Sequence, residues 1–312
     1  MILLTGAAGY IGVHIYHFLK KNNKSVIGID NFCTNNVKNI YTKEILKVDI
    51  NNNIKIKKII KKYNITTVIH AAAFSHPLES LKFPKKYKKN NIIKSNSFIK
   101  TCKKNNIKNF IFFSSSNVYT EKREGPYKEK NSTKPKNYYG KTKKIKESKL
   151  FINKKYFRNL IILRLFNVVG YYTDFKYYEN KYKYKRIFKI FKNGLKKKKI
   201  LKLYYYKNKK NITFPERDFI HIKDLNILII KILLKFKNKS AKKAYNVGTG
   251  KATDIKKLIE IYENYKKIKI NYVLKKINNI ELKSVFADIK KVKGDYSWSP
   301  KNSIKSIVKS YI

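Results

Sequence analysis

Short apolar runs alternate with segments of helical periodicity along the first half of the chain. Runs that end at a glycine or an aspartate are typical of buried parallel strands. The predicted strands are Met1–Thr5, Ser25–Asp30, Ile45–Val48, Thr67–His70, Asn109–Phe113 and Leu160–Leu165. Apolar residues at helical spacing predict the intervening helices, which are Val13–Lys21, Ile54–Tyr63, Asn90–Asn105 and Tyr139–Phe151.

This order predicts an α/β fold, a doubly wound parallel sheet of the Rossmann type with a smaller C-terminal α+β domain. The pattern changes after Gly170, where Tyr, Lys and Asn crowd together without a clear period. We therefore assign residues 1–168, with about 218–240, to a first domain, and residues 169–217 and 241–312 to a second.

Fewer elements are predicted in the second half of the chain. The predicted elements are a loop over Tyr171–Lys185, with or without a short helix, a solvated loop at Lys196–Lys199, a strand at Ile200–Tyr206, helices at Ile222–Phe236 and Ile255–Tyr265, a turn at Val247–Gly250, and one or two helices after Asp288.

The formal net charge of +55 over 312 residues at first suggests a polyanion partner. Only five of the 74 basic residues are arginine, whose planar fork suits phosphate better than lysine does. Lys, Asn, Ile and Tyr, all with A/T-rich codons, account for 172 of the 312 residues. Compositional drift explains the charge, so we expect no specific nucleic-acid partner, only weak binding at low salt. A functional polyanion-binding surface is the alternative.

Other sequence features bear on the compartment. The longest apolar run, Ile227–Leu234, is interrupted by Lys231, so we expect no membrane partner. The N-terminus lacks the basic segment of a secretion signal. Two cysteines, Cys33 and Cys102, are too few for a disulfide scaffold or a cysteine-based zinc site. We expect a cytoplasmic protein without a bound metal.

A glycine-rich turn lies between the first predicted strand and helix. Gly6, Gly9 and Gly12 allow a tight turn and close approach of the backbone to a pyrophosphate, which the helix N-terminus favours. Asp30 ends the next strand, where a carboxylate would accept hydrogen bonds from ribose hydroxyls and repel a 2′-phosphate. This arrangement predicts NAD rather than NADP; an aspartate that only caps a loop is the alternative.

A Tyr-x-x-x-Lys motif begins the helix that follows the fifth predicted strand. Tyr139 and Lys143 share a helix face, and an ammonium there would lower the tyrosine pKa from its usual value of about 10. The motif arises easily by chance in a chain with 25 tyrosines. Its position gives it weight, because it follows Ser115 at the carboxyl end of a strand, where open α/β sheets bind ligands.

Taken in order, these motifs resemble the extended short-chain dehydrogenase/reductase family over nearly the whole chain. The resemblance rests on Gly6-x-x-Gly9-x-x-Gly12, Asp30-Asn31, Ser115 with Val118-Tyr119, Tyr139-x-x-x-Lys143, Arg164-Leu165-Phe166-Asn167, Arg217–His221, Tyr245–Gly250 and Ala287-Asp288. It is greatest to the members that use NAD to invert C4 of a UDP-hexose through a 4-keto intermediate. Another nucleotide-sugar epimerase or decarboxylase of this family, or a degenerate NAD-binding protein without turnover, remains open. We further expect a homodimer.

The resemblance implies roles for individual residues. Tyr139 would be the catalytic base, Lys143 its electrostatic partner, and Ser115 a hydrogen-bond donor to the sugar O4. The residues that would contact NAD in the first domain are Gly6, Gly9, Tyr10, Ile11, Gly12, Asp30, Asn31, Asp49, Ile50, Ala72, Asn90, Tyr139, Lys143 and Phe166. The residues that would contact the UDP-sugar are Ser115, Tyr139, Asn167 and Arg217.

The departures from the family pattern fall mostly in the part expected to bind substrate. Asn278-Asn279-Ile280-Glu281 stands where the family has an arginine for the diphosphate, and Ser75 stands where lysine is common. Val285 is smaller than the residue that often closes the sugar pocket. It either widens that pocket or only fills core.

Overall fold

The computed structural model describes residues 1–34, 43–120, 125–172, 188, 200–208, 211–236, 240–277 and 283–311. Most of the predicted loop over Tyr171–Lys185, the segment Lys196–Lys199 and the departure at 278–281 lie outside these residues.

Residues 2–165 supply six strands of a seven-stranded sheet in which each pair of neighbouring strands is parallel. From one edge to the other its strands are Lys242–Val247, Asn159–Leu165, Asn109–Ser115, Thr67–His70, Ile2–Thr5, Val26–Asp30 and Leu46–Lys47. The predicted doubly wound sheet is therefore confirmed.

Helices cover both faces of this sheet because successive strand residues point to opposite sides. Leu4 and Ile69 pack in one apolar cluster with the helix Tyr10–Lys21, whereas Leu3 and Val68 pack in the other with Asn53–Lys62. The remaining helical elements of this half are Pro77–Lys82, Pro84–Tyr87, a π-helical turn at Lys88–Lys94, Ser95–Lys104, Tyr138–Ile152, and 3₁₀ turns at Ser116–Val118 and Lys154–Tyr156.

The second half contributes the helix Ile222–Lys235 and small sheets beside the carboxyl ends of the large one. The small sheets join Asn167–Val169 with Phe219–His221, Glu216–Arg217 with Thr253–Asp254 and Ser284–Val285, and Leu201–Asn208 with Asn211–Thr213 and Tyr272–Lys276. The last helices are Ile255–Lys266, Lys290–Tyr296 and Ile304–Lys309.

One strand of the large sheet contradicts the sequence analysis. Lys242–Val247 pairs in parallel with Asn159–Leu165, although we placed residues from 241 onward in the second domain and predicted only a turn at Val247–Gly250. Its two leading lysines are exposed, and only Ala244 to Val247 are buried, so the apolar run is too short to stand out. The division into two domains otherwise stays a prediction.

No helix among the described residues combines the length and the apolar character needed to cross a lipid bilayer.

Candidate active site

A cavity of about 390 Å³ opens at the carboxyl ends of the central strands. Ser115 comes from the end of Asn109–Ser115, and Tyr139 and Lys143 come from the first turns of Tyr138–Ile152. All three line the cavity together with Gly6, Gly9, Tyr10, Ile11, Gly12, Phe166, Asn167 and Arg217. The structure thus brings the predicted catalytic residues together with most of the predicted binding residues.

The glycine-rich turn is packed too tightly for any side chain at two of its positions. Gly6 has φ of +70°, and a Cβ there would lie 2.7 Å from the backbone nitrogen of Ala72. A Cβ on Gly12 would lie 2.0 Å from the carbonyl oxygen of Gly6. Among the described residues, no side chain caps the helix that begins after Gly9, so its N-terminal N–H groups suit a pyrophosphate.

A second cavity, of about 80 Å³, shares the glycine-rich turn with the first. Of the residues predicted to contact NAD, it is lined by Asp30, Asn31, Ile50, Ala72 and Asn90, as well as by Gly6 and Gly9. The two cavities therefore offer adjoining space for the two halves of an extended dinucleotide.

Asp30 lines the second cavity and is held by two backbone hydrogen bonds. Its carboxylate accepts hydrogen bonds from the backbone N–H of Ala8 at 3.1 Å and of Phe32 at 2.7 Å. Burial nevertheless raises the pKa of Asp30, because it disfavours the charged form more than these donors favour it. The carboxylate thus ties the glycine-rich turn to the second strand, as well as facing the cavity.

Asp49 contacts Asn31 but is not among the described residues that line the second cavity. Its carboxylate accepts hydrogen bonds from Asn31 Nδ2 at 2.8 Å and from Lys94 Nζ at 2.5 Å, and it lines an open groove beside Lys94. Although partial burial opposes the effect, these donors hold the pKa of Asp49 below its usual value. Among the described residues that line the second cavity we find Ile50 but not Asp49.

Lys143 is held under the cavity by its own hydrogen bond. Its ammonium donates to the carbonyl oxygen of Phe113 at 2.6 Å and lies 5.8 Å from the ring centre of Tyr139. Burial lowers the pKa of Lys143 to about 7, and Glu147 opposes that shift. The lysine can therefore exchange its proton near neutral pH, beside the tyrosine ring.

Ser115 and Tyr139 are both anchored by neighbouring polar groups. Ser115 Oγ accepts hydrogen bonds at 3.2 Å from the backbone N–H and from Nδ2 of Asn117. The backbone N–H of Tyr139 donates to Ser80 Oγ at 2.9 Å. The Ser115 hydroxyl hydrogen remains available for a substrate oxygen, because both of these hydrogen bonds use Ser115 only as an acceptor.

A buried ion pair anchors the helix Tyr138–Ile152, which carries Tyr139 and Lys143. Arg164 donates to both carboxylate oxygens of Glu147, and its Nη2 lies 2.7 Å from Oε2. Ser114 Oγ also donates to Glu147 at 2.5 Å, next to Ser115 in the strand. Both side chains of the pair are almost fully buried. The pair therefore joins the strand Asn159–Leu165 to the helix that carries Lys143, and Ser114 joins the strand that carries Ser115 to the same helix.

On the substrate side, Asn167 and Arg217 reach the cavity from short strands. Asn167 Nδ2 donates to the carbonyl oxygen of Asp218, and Arg217 Nη1 donates to that of Glu216. Val285 instead packs with a buried cluster that includes Tyr119 and Phe166, and it is not among the described residues that line the cavity. This position favours the core-filling interpretation of Val285.

Sequence reasoning missed several residues that shape this site. His76 lines the main cavity, Ser80 anchors Tyr139, and Asn91 holds both the backbone of Phe74 and Thr142 Oγ1. These residues act through tertiary contacts and carry no motif. Glu147 had a signal that could have been used, because it is one of only 19 acidic residues and follows Lys143 by one helical turn.

Residues 2–248 match the NAD dependent epimerase/dehydratase family. The chain belongs to this family. Bifunctional protein GAL10 of Pachysolen tannophilus is 30% identical over 275 residues, which cover 81% of this chain but only 40% of that protein. The UDP-glucose 4-epimerase of Pasteurella multocida is 28% identical over 324 residues and is matched over 95% of its length, with 99% of this chain covered.

Solved structures of this family have the same fold. The UDP-glucose 4-epimerase of Bifidobacterium longum, in complex with NAD⁺ and UDP, is 26% identical and superposes with a TM-score of 0.85. That match covers 99% of this chain and 96% of that chain. The predicted family membership and Rossmann-like fold are confirmed.

Proposed function

We propose that this chain is an NAD-dependent epimerase that inverts C4 of a UDP-hexose. One observation carries the proposal: Ser115, Tyr139 and Lys143 meet in a single cavity that also holds the glycine-rich turn. The relatives named UDP-glucose 4-epimerase support it, since one of them matches nearly the full length of this chain.

The residues present fit NAD. The glycine-rich turn and the uncapped helix N-terminus would hold its pyrophosphate, and Asp30 would bind the adenosine ribose. When bound, NAD supplies the acceptor that takes hydride from sugar C4 and later returns it.

Tyr139 would take the proton from the 4-hydroxyl of the sugar and later give it back. A tyrosine can do this near neutral pH only if its phenolate is stabilised. The Lys143 ammonium lies close enough to the ring to stabilise it, since their separation is 5.8 Å in a buried site.

Ser115 and the substrate-side residues would orient the sugar. Ser115 Oγ would donate to O4, where negative charge builds up as the carbonyl of the 4-keto intermediate forms. Asn167 and Arg217 would bind the diphosphate through their amide and guanidinium groups. A sugar held by its diphosphate can turn and present its other face, which inversion at C4 requires.

Incubation of the purified protein with NAD and a panel of UDP-sugars, followed by chromatography of the products, tests this function. We expect interconversion of UDP-glucose and UDP-galactose. Conversion of only a UDP-uronate or a UDP-pentose would replace the proposed substrate. No conversion by protein that binds NAD would point to a degenerate family member.

The cofactor preference rests on Asp30. We expect Asp30→Ala to weaken NAD binding by about 1–3 kcal/mol, because ribose hydroxyls and the N–H of Ala8 would lose their acceptor. Calorimetry on the wild type and the variant measures the change.

Asp49→Ala is the matched control for this measurement, since Asp49 is a neighbouring carboxylate outside the second cavity. It should weaken NAD binding less than Asp30→Ala does. Wild-type protein that binds NADP as tightly as NAD would show that Asp30 does not select the cofactor.

We also propose that a second copy of this chain covers an exposed apolar surface. Leu78, Leu81, Phe83, Ile93 and Ile145 are each about half exposed, on elements that pack beside one another. Exposed apolar patches of this kind mark interfaces. Burial of this patch between two copies would oppose the repulsion between two chains of high net positive charge.

Sedimentation velocity tests the homodimer. We expect the wild-type particle to have twice the chain mass of 37.0 kDa, and Leu81→Asp to have the mass of one chain. Ile54→Asp, at an exposed apolar position on another helix, should leave the dimer intact. A monomeric wild type would exclude the homodimer.

We still expect a cytoplasmic location, which fractionation of cells would check. We also still expect no specific nucleic-acid partner.

A further inference from the structure

A second lysine is buried on the same helix as the catalytic pair. Lys146 is only 1% exposed. Residues 139, 143 and 146 are spaced four and three apart, so Tyr139, Lys143 and Lys146 form one stripe along the buried face of the helix. Lysine is among the residues least often fully buried, and nothing in the proposed reaction has yet used this one.

The ammonium of Lys146 is held by neutral acceptors. It donates to the carbonyl oxygen of Ile92 at 3.1 Å and to Asn96 Oδ1 at 2.5 Å. These partners belong to the π-helical turn Lys88–Lys94 and the helix Ser95–Lys104, and neither segment contains an acidic residue. The charge of Lys146 is therefore not balanced by the elements against which it packs.

The other charged groups around Lys146 do not neutralise it either. Its own helix brings Lys143, Glu147 and Lys149, and the neighbouring strand brings His70, while the two segments against which Lys146 packs contain lysine as their only charged residue type. The carboxylate of Glu147 is paired with Arg164, and Lys94 is paired with Asp49. The interior beneath the site thus carries a surplus of positive charge.

We propose that Lys146 is an electrostatic positioning residue whose buried ammonium favours loss of the proton from both Tyr139 and Lys143. The proposal rests on the proposed function, in which Tyr139 acts as phenolate. A positive charge on the same buried stripe stabilises that phenolate and repels the Lys143 ammonium, with little solvent between them to screen the effect.

The protonation behaviour of the group agrees with this arrangement. Burial lowers the pKa of Lys146 to about 7, and repulsion by Lys149 and Lys143 adds to the effect. Burial also holds the pKa of His70 well below its usual value, with Lys143 and Lys146 contributing repulsion. Since repulsion is mutual, removing the charge of Lys146 must raise the pKa of each neighbour.

The test is the pH dependence of kcat/KM for Lys146→Met, which keeps the length of the side chain but removes its charge. Loss of the charge raises the pKa of Tyr139, so the acidic limb of the profile moves to higher pH. It raises the pKa of Lys143 as well, so the alkaline limb moves in the same direction. We expect the acidic limb to move up by about one pH unit. The alkaline limb should move less, because Lys146 itself loses its proton near pH 7 in the wild type.

Two further variants separate charge from packing. Lys146→Arg keeps the charge and should leave both limbs near their wild-type positions. Lys141→Met removes an exposed lysine between Tyr139 and Lys143 in sequence and should also leave them unmoved. A purely structural role for Lys146 would change the height of the profile or the urea midpoint in Lys146→Met without moving either limb, and that result would overturn the proposal.

A readout without turnover keeps this inference separate from the proposed function. In protein labelled with ¹³C at lysine Cε, the Lys143 resonance is assigned by its loss in Lys143→Met. We expect it to titrate near pH 7 in the wild type and at higher pH in Lys146→Met. An unchanged titration would contradict the inference even if the epimerase assay succeeds, and the shift would support it even if that assay fails.

Discussion

Tyr139→Phe should lose activity by about 10²–10⁴-fold while the protein stays folded and keeps its NAD. The substitution removes only the hydroxyl, so the ring still fills its buried position and its backbone N–H still donates to Ser80. Without the hydroxyl, no phenolate forms beside Lys143 to take the proton of the sugar. Turnover of UDP-galactose and the NAD content of the purified variant measure the two parts of this expectation.

Tyr138→Phe is the matched control, because it removes a hydroxyl from the adjacent tyrosine of the same helix. It should retain near wild-type turnover. If Tyr139→Phe is as active as Tyr138→Phe on a sugar that the wild type converts, another group is the base.

Glu147→Gln should lower the free energy of unfolding by about 3–5 kcal/mol, the range for breaking one partner of a buried ion pair. The Arg164 guanidinium would be left buried at 7% side-chain exposure without its carboxylate. Arg164 also donates to Tyr119 and to the carbonyl oxygen of Glu129, and those neutral acceptors do not replace a charge. Urea unfolding followed by circular dichroism measures the change.

Glu44→Gln provides the comparison, since Glu44 pairs with Lys20 at the surface, where both side chains are about half exposed. Surface pairs contribute about 0–1 kcal/mol, so this variant should unfold close to the wild type. Equal losses in the two variants would show that burial of the Glu147–Arg164 pair has no special effect on stability.

The sequence predicts the central strands well because they are buried on both faces. Thr67–His70 is predicted with its observed bounds, and the predicted start of Asn159–Leu165 is only one residue late. The centres of these strands, Val68-Ile69 and Leu160–Leu163, are consecutive apolar residues that stand out even in a lysine-rich chain. Tyr272–Lys276 is a different case, because all five of its residues are exposed and its short apolar run of three residues is followed at once by two lysines.

The residues of the site also differ in how well the sequence predicts them. Ser115, Tyr139 and Lys143 could be predicted because the end of a strand and the start of the next helix meet at the carboxyl edge of any sheet of this type. Asp49 has the right sequence context, but its carboxylate is turned toward Asn31 and Lys94. That orientation depends on a lysine 45 residues away, which no local pattern reveals.

The position of Lys242–Val247 at the edge of the large sheet has a consequence for the order in which the chain assembles during synthesis. The strand Asn159–Leu165 is fully buried in the finished protein, yet its outer side has no partner until residue 247 has left the ribosome. For that interval, an apolar strand edge is open to pairing with other chains. The last strand of the sheet to be made thus replaces this apolar edge with one that begins with two exposed lysines, which disfavour pairing with other chains.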